Sequence, residues 1–255
     1  MHRIWLVLAV LGVRTALAQA PAYTADSIVN AADYSSGPFA PNSVLTVFGS
    51  NLSWYTATLQ TNSASGSVPT ELGGVTVSVD NVTAPLLYVS ATQVNFLVPS
   101  DEIAGNITVR VVRQGVTGPA VTLALVDSAP ALFDPGTGFT IATHADGSLL
   151  TDASPARPGE IIVVYATGLG PTEPNPEPGE VPQWAATLVW INSLVVSLNG
   201  TALPSNLIEY AGLTPGCVGL YQLNVQLPQN VGSDPVIQVS VQGRASSGNL
   251  KIAVQ

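Results

Sequence analysis

Three aromatic side chains are the residues of this sequence best suited to hold a ligand. Trp54 and Tyr55 follow an apolar segment in the first half of the chain, and Trp184 occupies a similar place in the second half. Rings near loops can stack on sugar faces or anchor a protein partner, because they bury a large area at small entropic cost. Trp54, Tyr55 and Trp184 are therefore candidate ligand contacts, with packing in a core as the alternative; Trp190 is predicted to be core.

The sequence contains few residues or motifs of the kinds that enzymes use for catalysis. Beyond the first residues the only histidine is His144, beside the Asp146-Gly147 pair, and no Gly-x-Ser-x-Gly motif supplies an activated serine. His144 is therefore predicted to be an exposed turn residue. No Cys/His cluster could hold zinc, and no glycine-rich loop ends in Lys-Ser or Lys-Thr to bind phosphate. Two carboxylates could serve a glycosidase, but no pair stands out. We predict no catalytic residue, no cofactor and no enzyme activity.

A proline-rich segment, residues 171–182, carries Glu173, Glu177 and Glu180. Closely spaced carboxylates on a stiff loop could supply oxygen ligands to Ca²⁺, although the spacing fits no EF-hand. A solvated proline-rich loop without a metal is the main interpretation.

The single cysteine, Cys217, excludes an intramolecular disulfide. No His or Lys is adjacent in sequence to lower the pKa of its thiol. We predict a buried, poorly reactive side chain, with an intermolecular bridge or a nucleophile as alternatives.

A Gln-x-Asn pair occurs twice, as Gln93/Asn95 and as Gln222/Asn224. Residues two apart in a strand share one face of the sheet, so both pairs present two amides opposite the apolar side chains. These amides could bind a ligand, but their recurrence favours a structural role.

The charge balance excludes two classes of partner. The chain has 16 acidic and 7 basic residues, and its formal net charge is −9. An acidic surface repels nucleic acid and anionic lipid.

The N-terminus has the pattern of a secretory signal. A short basic start with Arg3 precedes ten apolar residues, 4–13, and small residues at 16–20 offer cleavage sites. We predict a signal peptide over residues 1–20, export from the cell, and no membrane insertion after cleavage. An uncleaved anchor is the alternative.

Alternating apolar and polar residues predict many short strands. Val75, Val77 and Val79 alternate with polar residues, as do Ile237 and Val239 in the second half. A period of two is typical of sheets with one buried and one wetted face. The 23 Gly and 20 Pro indicate many turns. The fold class is therefore predicted to be all-β.

The sequence also repeats itself. The segment 41–52 is echoed by 158–169, and Gln93-Val-Asn-Phe-Leu-Val-Pro99 is echoed by Gln222-Leu-Asn-Val-Gln-Leu-Pro228. Two β-rich copies of this size predict two tandem β-sandwiches, at residues 21–128 and 157–255. Between them, residues 129–156 are predicted to be an ordered linker with a small hairpin at Asp146-Gly147.

These motifs resemble a known family. The segments that carry the resemblance are 28–34, 41–52 and 93–99 in the first half and 155–160, 165–170 and 211–224 in the second. Their order is similar to that in the uncharacterised extracellular C-terminal domain of Solibacter-type (acidobacterial) proteins, and each half is similar to an IPT/TIG-type immunoglobulin-like domain. The resemblance implies two tandem immunoglobulin-like sandwiches in an exported bacterial protein, and it brings no catalytic residue.

Taken together, these features predict a secreted or cell-surface, non-catalytic module for adhesion, surface assembly or protein–protein interaction. Its partner would be a surface protein or a polysaccharide. A carbohydrate-binding module that uses the loop tryptophans is the alternative, and a secreted hydrolase is a third, weaker hypothesis.

Overall fold

The computed structural model describes residues 19–59 and 66–255, and throughout them the regular structure is β-strand with three short 3-10 turns. The named strands pair antiparallel in four sheets. The prediction of an all-β, immunoglobulin-like architecture is confirmed. Residues 1–18 of the predicted signal peptide lie outside the described residues. The 3-10 turns are Ala25–Ser27, Ile191–Ser193 and Ser205–Leu207.

The first unit consists of two facing sheets, ordered β1-β2-β7-β6-β3 and β10-β8-β4-β5, with β9 paired to β8. Its core is formed by the inward side chains of both sheets. The strands are β1 Ile28–Asn30, β2 Val44–Phe48, β3 Ala57–Thr58, β4 Val75–Val79, β5 Val82–Thr83, β6 Leu86–Val89, β7 Gln93–Leu97, β8 Gly105–Arg113, β9 Val116–Thr117 and β10 Val121–Leu125.

The second unit has sheets ordered β11-β13-β19-β18-β15-β14, with β12 paired to β13, and β17-β16-β20-β21. A separate hydrophobic core lies between them. The strands are β11 Ala131–Leu132, β12 Ala142–His144, β13 Ile161–Thr167, β14 Thr172–Glu173, β15 Ala186–Leu188, β16 Val195–Leu198, β17 Thr201–Ala202, β18 Ile208–Leu213, β19 Tyr221–Gln226, β20 Ile237–Val241 and β21 Arg244–Ala245.

Burial along the strands follows the alternation of the sequence. In β4, Val75, Val77 and Val79 are buried while the intervening Thr76 and Ser78 are half-buried, and β20 has the same pattern. Each strand therefore contributes one apolar face to its core, as the period of two predicted.

The two Gln-x-Asn pairs are bonded within their own strands. Gln93 Nε2 donates to Asn95 Oδ1 at 2.9 Å, and Gln222 Nε2 donates to Asn224 Oδ1 at 3.1 Å. Thr46 on the neighbouring strand adds a hydrogen bond to Asn95 at 3.1 Å. The side-chain amides are thus engaged in hydrogen bonds on the sheet face. This supports the structural role that the recurrence of the Gln-x-Asn pair favoured.

The segment between the units is ordered. Its strands β11 and β12 both pair with β13, so they extend the first sheet of the second unit. A tight turn at Asp146-Gly147 follows β12, and the His144 N–H donates to the Ser148 carbonyl at 2.8 Å.

The proline-rich loop 171–182 is fastened to the first unit. The Val68 N–H donates to the Gly179 carbonyl at 2.8 Å, and the Val181 N–H donates to the Gly66 carbonyl at 2.8 Å. The loop is therefore not simply solvated as the sequence suggested, because its backbone forms a short antiparallel bridge across the junction.

A buried hydrogen-bond chain also joins the units. The Tyr221 hydroxyl donates to the Gly170 carbonyl at 2.5 Å and accepts from Asn42 Nδ2 of the first unit at 3.2 Å. Tyr221 is fully buried, and this burial raises the pKa of its phenol far above the ordinary value. The phenol remains a neutral donor, and the junction is held by this hydrogen-bond chain as well as by the loop.

Candidate functional site

All three candidate aromatic residues lie at the surface. Trp54 is 52% exposed, Tyr55 65% and Trp184 50%. Trp54 and Tyr55 are neighbours in the turn before β3, and Trp184 precedes β15 of the other unit. Trp190, in contrast, is half-buried and packs against the second core.

Trp54 is supported from beneath by an arginine. The Arg113 Cζ atom lies 3.9 Å from the centroid of the Trp54 ring, and Arg113 itself is fully buried. Arg113 ends β8, where it continues the inward row of Ile107, Val109 and Val111. A guanidinium at this distance is attracted to the negative face of the indole, so it holds the ring in place.

The buried guanidinium has only neutral partners. Nη1 donates to the Asn51 carbonyl at 2.5 Å, Nη2 donates to the Gln19 carbonyl, and Nε has no hydrogen-bond partner among the described residues. Among the described residues, Arg113 forms no ion pair; the ion pair found there joins His144 and Glu160. Because no carboxylate neutralises Arg113, its stabilisation depends on the carbonyls and on the Trp54 ring.

The backbone beneath the ring is fixed as well. Ser53 is buried, and its hydroxyl donates to the Tyr55 carbonyl at 2.7 Å and accepts from the Tyr55 N–H at 3.2 Å. This local turn sets the positions of Trp54 and Tyr55. We call these two side chains the Trp54 platform.

Sequence reasoning missed Arg113. The available signal was its place two residues after Val111 in an inward-facing row, where a charged side chain is unexpected. Its contact with Trp54 links residues far apart in sequence, and strand periodicity alone does not reveal such a contact.

A second exposed aromatic pair lies on the first unit. The Tyr34 and Phe48 rings are 6.0 Å apart at an interplanar angle of 38°, and both side chains are exposed. This separation is within the range of favourable aromatic pairs. The pair forms a small apolar patch at the end of β2.

His144 is not the exposed turn residue that the sequence suggested, because it ends β12 and is half-buried. Its Nδ1 atom contacts Glu160 Oε1, and its Nε2 atom lies 3.2 Å from Ser154 Oγ. Glu160 is held in turn by the Arg157 N–H at 2.8 Å. The hairpin at Asp146-Gly147 places His144 opposite the loop before β13, which the sequence did not reveal.

Neither Ser154 nor the residue after it offers a free backbone donor for an oxyanion at this serine–histidine–glutamate array. The Ser154 N–H already donates to the Thr151 carbonyl at 2.9 Å and to Thr151 Oγ1 at 3.1 Å. The next residue is Pro155, which has no N–H. Backbone donors at an oxyanion hole supply a large part of catalysis by such arrays, so the geometry is poorly suited to acyl transfer.

The same array predicts a pH dependence of stability. The side-chain hydrogen bond with Glu160 is the main cause that raises the pKa of His144 above its ordinary value. A raised pKa in the folded state stabilises the fold fully below the unfolded pKa of about 6.5, and this contribution is lost as the pH rises through the folded pKa. We expect the difference in Tm between the wild type and Glu160→Gln to be large at pH 5.5 and to shrink by pH 8.5. Thermal unfolding monitored by circular dichroism measures this difference in Tm. A difference that stays the same from pH 5.5 to pH 8.5 would contradict a stabilising interaction between His144 and Glu160.

One of the three carboxylates of the proline-rich loop accepts a hydrogen bond from the backbone. Glu180 Oε2 accepts the Glu177 N–H at 3.0 Å. In the part of the chain that the structure describes, no three His, Cys, Asp or Glu side chains gather closely enough to hold a metal ion.

Cys217 is exposed, so the prediction of a buried side chain is wrong. It lies in the turn between β18 and β19, where its N–H donates to the Thr214 carbonyl at 3.1 Å. Partial desolvation nevertheless raises the pKa of the thiol, which disfavours the reactive thiolate.

Membrane-spanning segments were sought across residues 19–59 and 66–255. None of the helical turns found there has the length and apolar character needed to cross a bilayer.

Solved structures that this chain matches include two bacterial glycan-binding proteins and a part of titin. The surface glycan-binding protein PbSGBP-B from Prevotella bryantii is 12% identical, with a TM-score of 0.29, and the match covers 92% of this chain and 43% of that one. The SGBP-B protein of the Bacteroides ovatus mixed-linkage glucan utilization locus is 9% identical, with a TM-score of 0.34 and coverage of 84% and 44%. Titin-A168169 is 13% identical, with a TM-score of 0.27 and coverage of 93% and 100%. The chain thus spans less than half the length of the two glycan-binding proteins.

Among curated protein sequences, none matches this chain. A family model does match part of it, in the unit that carries the Trp54 platform. Residues 27–124 match the IPT/TIG domain, so the first unit has the family likeness that its motifs predicted.

Proposed function

We propose that this chain is an exported, non-catalytic binding protein that holds a neutral glycan against the Trp54 platform. The observation that carries the proposal is the half-exposed Trp54 ring, backed by the buried Arg113 at 3.9 Å. A fixed, flat aromatic face suits the apolar CH-bearing face of a sugar. Because the ring is ordered before binding, little entropy is lost when the sugar stacks on it.

Charge narrows the glycan class. The net charge of −9 disfavours polyanionic polysaccharides, since the long-range field of the protein repels them. Tyr55, next to Trp54, extends the stacking surface and adds a phenolic hydroxyl that can donate to a sugar oxygen. A neutral polysaccharide fits both properties. Export rests on the predicted signal peptide and would bring the platform to such a ligand.

Adhesion to a surface protein is the second candidate. It is supported by the exposed Tyr34–Phe48 pair, because aromatic side chains that stay at a surface are frequent anchors of protein interfaces. Under this alternative, Tyr34→Ala and Phe48→Ala would reduce attachment to a protein-coated surface, whereas changes at Trp54 would not.

Retention on insoluble polysaccharides tests the proposed glycan site. With the full chain on cellulose, insoluble xylan, mannan and chitin, we expect Trp54→Ala to reduce retention on the bound polymer by about five- to thirtyfold, since stacking contributes on the order of 1–2 kcal/mol. Trp184→Ala is the matched control, because it removes an indole of nearly equal exposure, 50% against 52%, that has no such arginine contact.

The proposal fails if Trp54→Ala binds as the wild type does, or if Trp184→Ala loses retention in its place. Failure of the wild type to bind any of the four polymers would also count against it. Urea unfolding of each variant must show that the folded state persists under the assay conditions.

A further inference from the structure

A cleft of about 170 Å³ lies between the two units. Residues of both units line it, including Asn42, Glu102 and Asp127 of the first unit and Asn175 and Trp190 of the second. It is smaller than the roughly 300–1,000 Å³ pockets of drug-sized ligands, so it admits one ring-sized molecule.

Contacts made by its lining residues Ser100 and Gly170 fix the walls of this junction cleft. Ser100 Oγ donates to the Pro176 carbonyl at 2.8 Å, so the two loops that approach each other at the cleft are tied together. A Cβ atom on Gly170 would lie 2.5 Å from Trp190 Cζ3, which means that only glycine lets the backbone come this close to the indole. The aromatic wall is therefore packed from behind, and its position does not depend on a ligand.

Asn42 presents an oriented acceptor. Its side chain is 6% exposed, and its Nδ2 atom donates to the Tyr221 hydroxyl at 3.2 Å. The Tyr221 hydroxyl donates its proton to the Gly170 carbonyl, so it can only accept a hydrogen bond from Asn42. The amide nitrogen of Asn42 must therefore face Tyr221, and its oxygen must point the other way. No described residue donates to Asn42 Oδ1, so this atom is available to a ligand in the cleft it lines.

The remaining polar lining is rich in acceptors. Glu102 and Asp127 contribute carboxylates, Asn175 contributes an amide, and none of the lining residues is Lys, Arg or His. Burial is the main cause that raises the pKa of Glu102, so its carboxyl group is already partly dehydrated. Such a lining suits a molecule with several hydroxyl donors and an apolar face for Trp190.

We propose that the junction cleft is a second ligand site, which takes a single neutral pyranose ring. The CH face of the sugar stacks on Trp190, and its hydroxyls donate to Asn42 Oδ1 and to the Glu102 carboxylate. The site goes beyond the proposed function, because it is separate from the Trp54 platform and can bind a monosaccharide whether or not the platform binds a polymer. A simple cation is the competing ligand, but among the described residues no three His, Cys, Asp or Glu side chains gather there to hold one.

The test uses the full chain carrying Trp54→Ala, which removes the platform. Saturation-transfer NMR is recorded with D-glucose, D-galactose, D-mannose and D-xylose up to about 100 mM, far above a millimolar Kd. We expect transfer to the protons of one face of at least one sugar. Adding Glu102→Gln should weaken binding by about tenfold, because the charged acceptor of the sugar hydroxyl becomes a neutral amide oxygen.

Two further variants keep the test decisive. Ala104→Trp fills the cleft from its exposed rim and should abolish transfer, whereas Asp101→Asn, a carboxylate change outside the lining, should leave it unchanged. No transfer from any of the four sugars, or transfer that survives both Glu102→Gln and Ala104→Trp, would overturn the site. Neither outcome bears on polymer retention by the Trp54 platform.

Discussion

Gly219→Ala is expected to destabilise the protein by about 2–5 kcal/mol, by disrupting the junction between the units. A Cβ atom there would lie 2.4 Å from Leu97 Cδ1 and 2.8 Å from Val44 Cγ2, both in the first unit. Gly219 also has a φ of +64°, which an L-residue adopts only with strain. Urea unfolding of the wild type and the variant measures the loss.

Gly216→Ala is the matched control for this change. Gly216 lies in the same turn with a φ of +82°, but a Cβ atom there would meet nothing within 4 Å. Gly216→Ala should therefore lower the free energy of unfolding only by the backbone strain of a positive φ, about 1–2 kcal/mol. Equal losses for the two variants would show that the junction does not depend on close packing at Gly219.

Arg113→Met is expected to weaken glycan binding by about tenfold or more, although Trp54 itself is unchanged. The methionine side chain can fill the space of the arginine stem, but it cannot attract the indole face or donate to the Asn51 carbonyl. Trp54 would then sample several orientations, and binding would have to order it again. Affinity for the retained polysaccharide, corrected for the folded fraction, provides the measurement.

Arg110→Met serves as its control. Arg110 is on the same strand but faces outward and is exposed, so the change removes the same charge without touching the platform. We expect its binding to stay within about twofold of the wild type, since an isolated exposed charge contributes little. If both arginine variants lose affinity equally, the effect comes from net charge and not from support of Trp54.

Much of the fold could be predicted because it depends on local patterns. The alternation in β4 and β20 determined which side chains face the cores, and the Asp146-Gly147 pair indicated a turn. The surface position of Trp54 also agrees with its choice as a candidate ligand contact. These features depend on a few neighbouring residues, which the sequence displays directly.

The features that sequence reasoning missed depend on distant contacts. Arg113 meets Trp54 across the first unit, His144 meets Glu160 through a hairpin, and the cleft at Trp190 exists only because two units dock. The proline-rich loop was expected in solvent because its composition suits it, yet its backbone pairs with residues 66–68. The composition of a segment shows whether it can lie in solvent, but its contacts with distant residues depend on the tertiary fold.

The indole N–H resonances of the ¹⁵N-labelled full chain test the central claim most directly. The chain has four tryptophans, so the few indole signals can be assigned by single substitutions. During titration with cellohexaose, xylohexaose and mannohexaose, the account predicts that the Trp54 signal shifts saturably with at least one oligosaccharide while the Trp184 signal stays in place. A Trp54 signal that does not move with any of them, or a shift confined to Trp184, would contradict the assignment of the Trp54 platform as the glycan site.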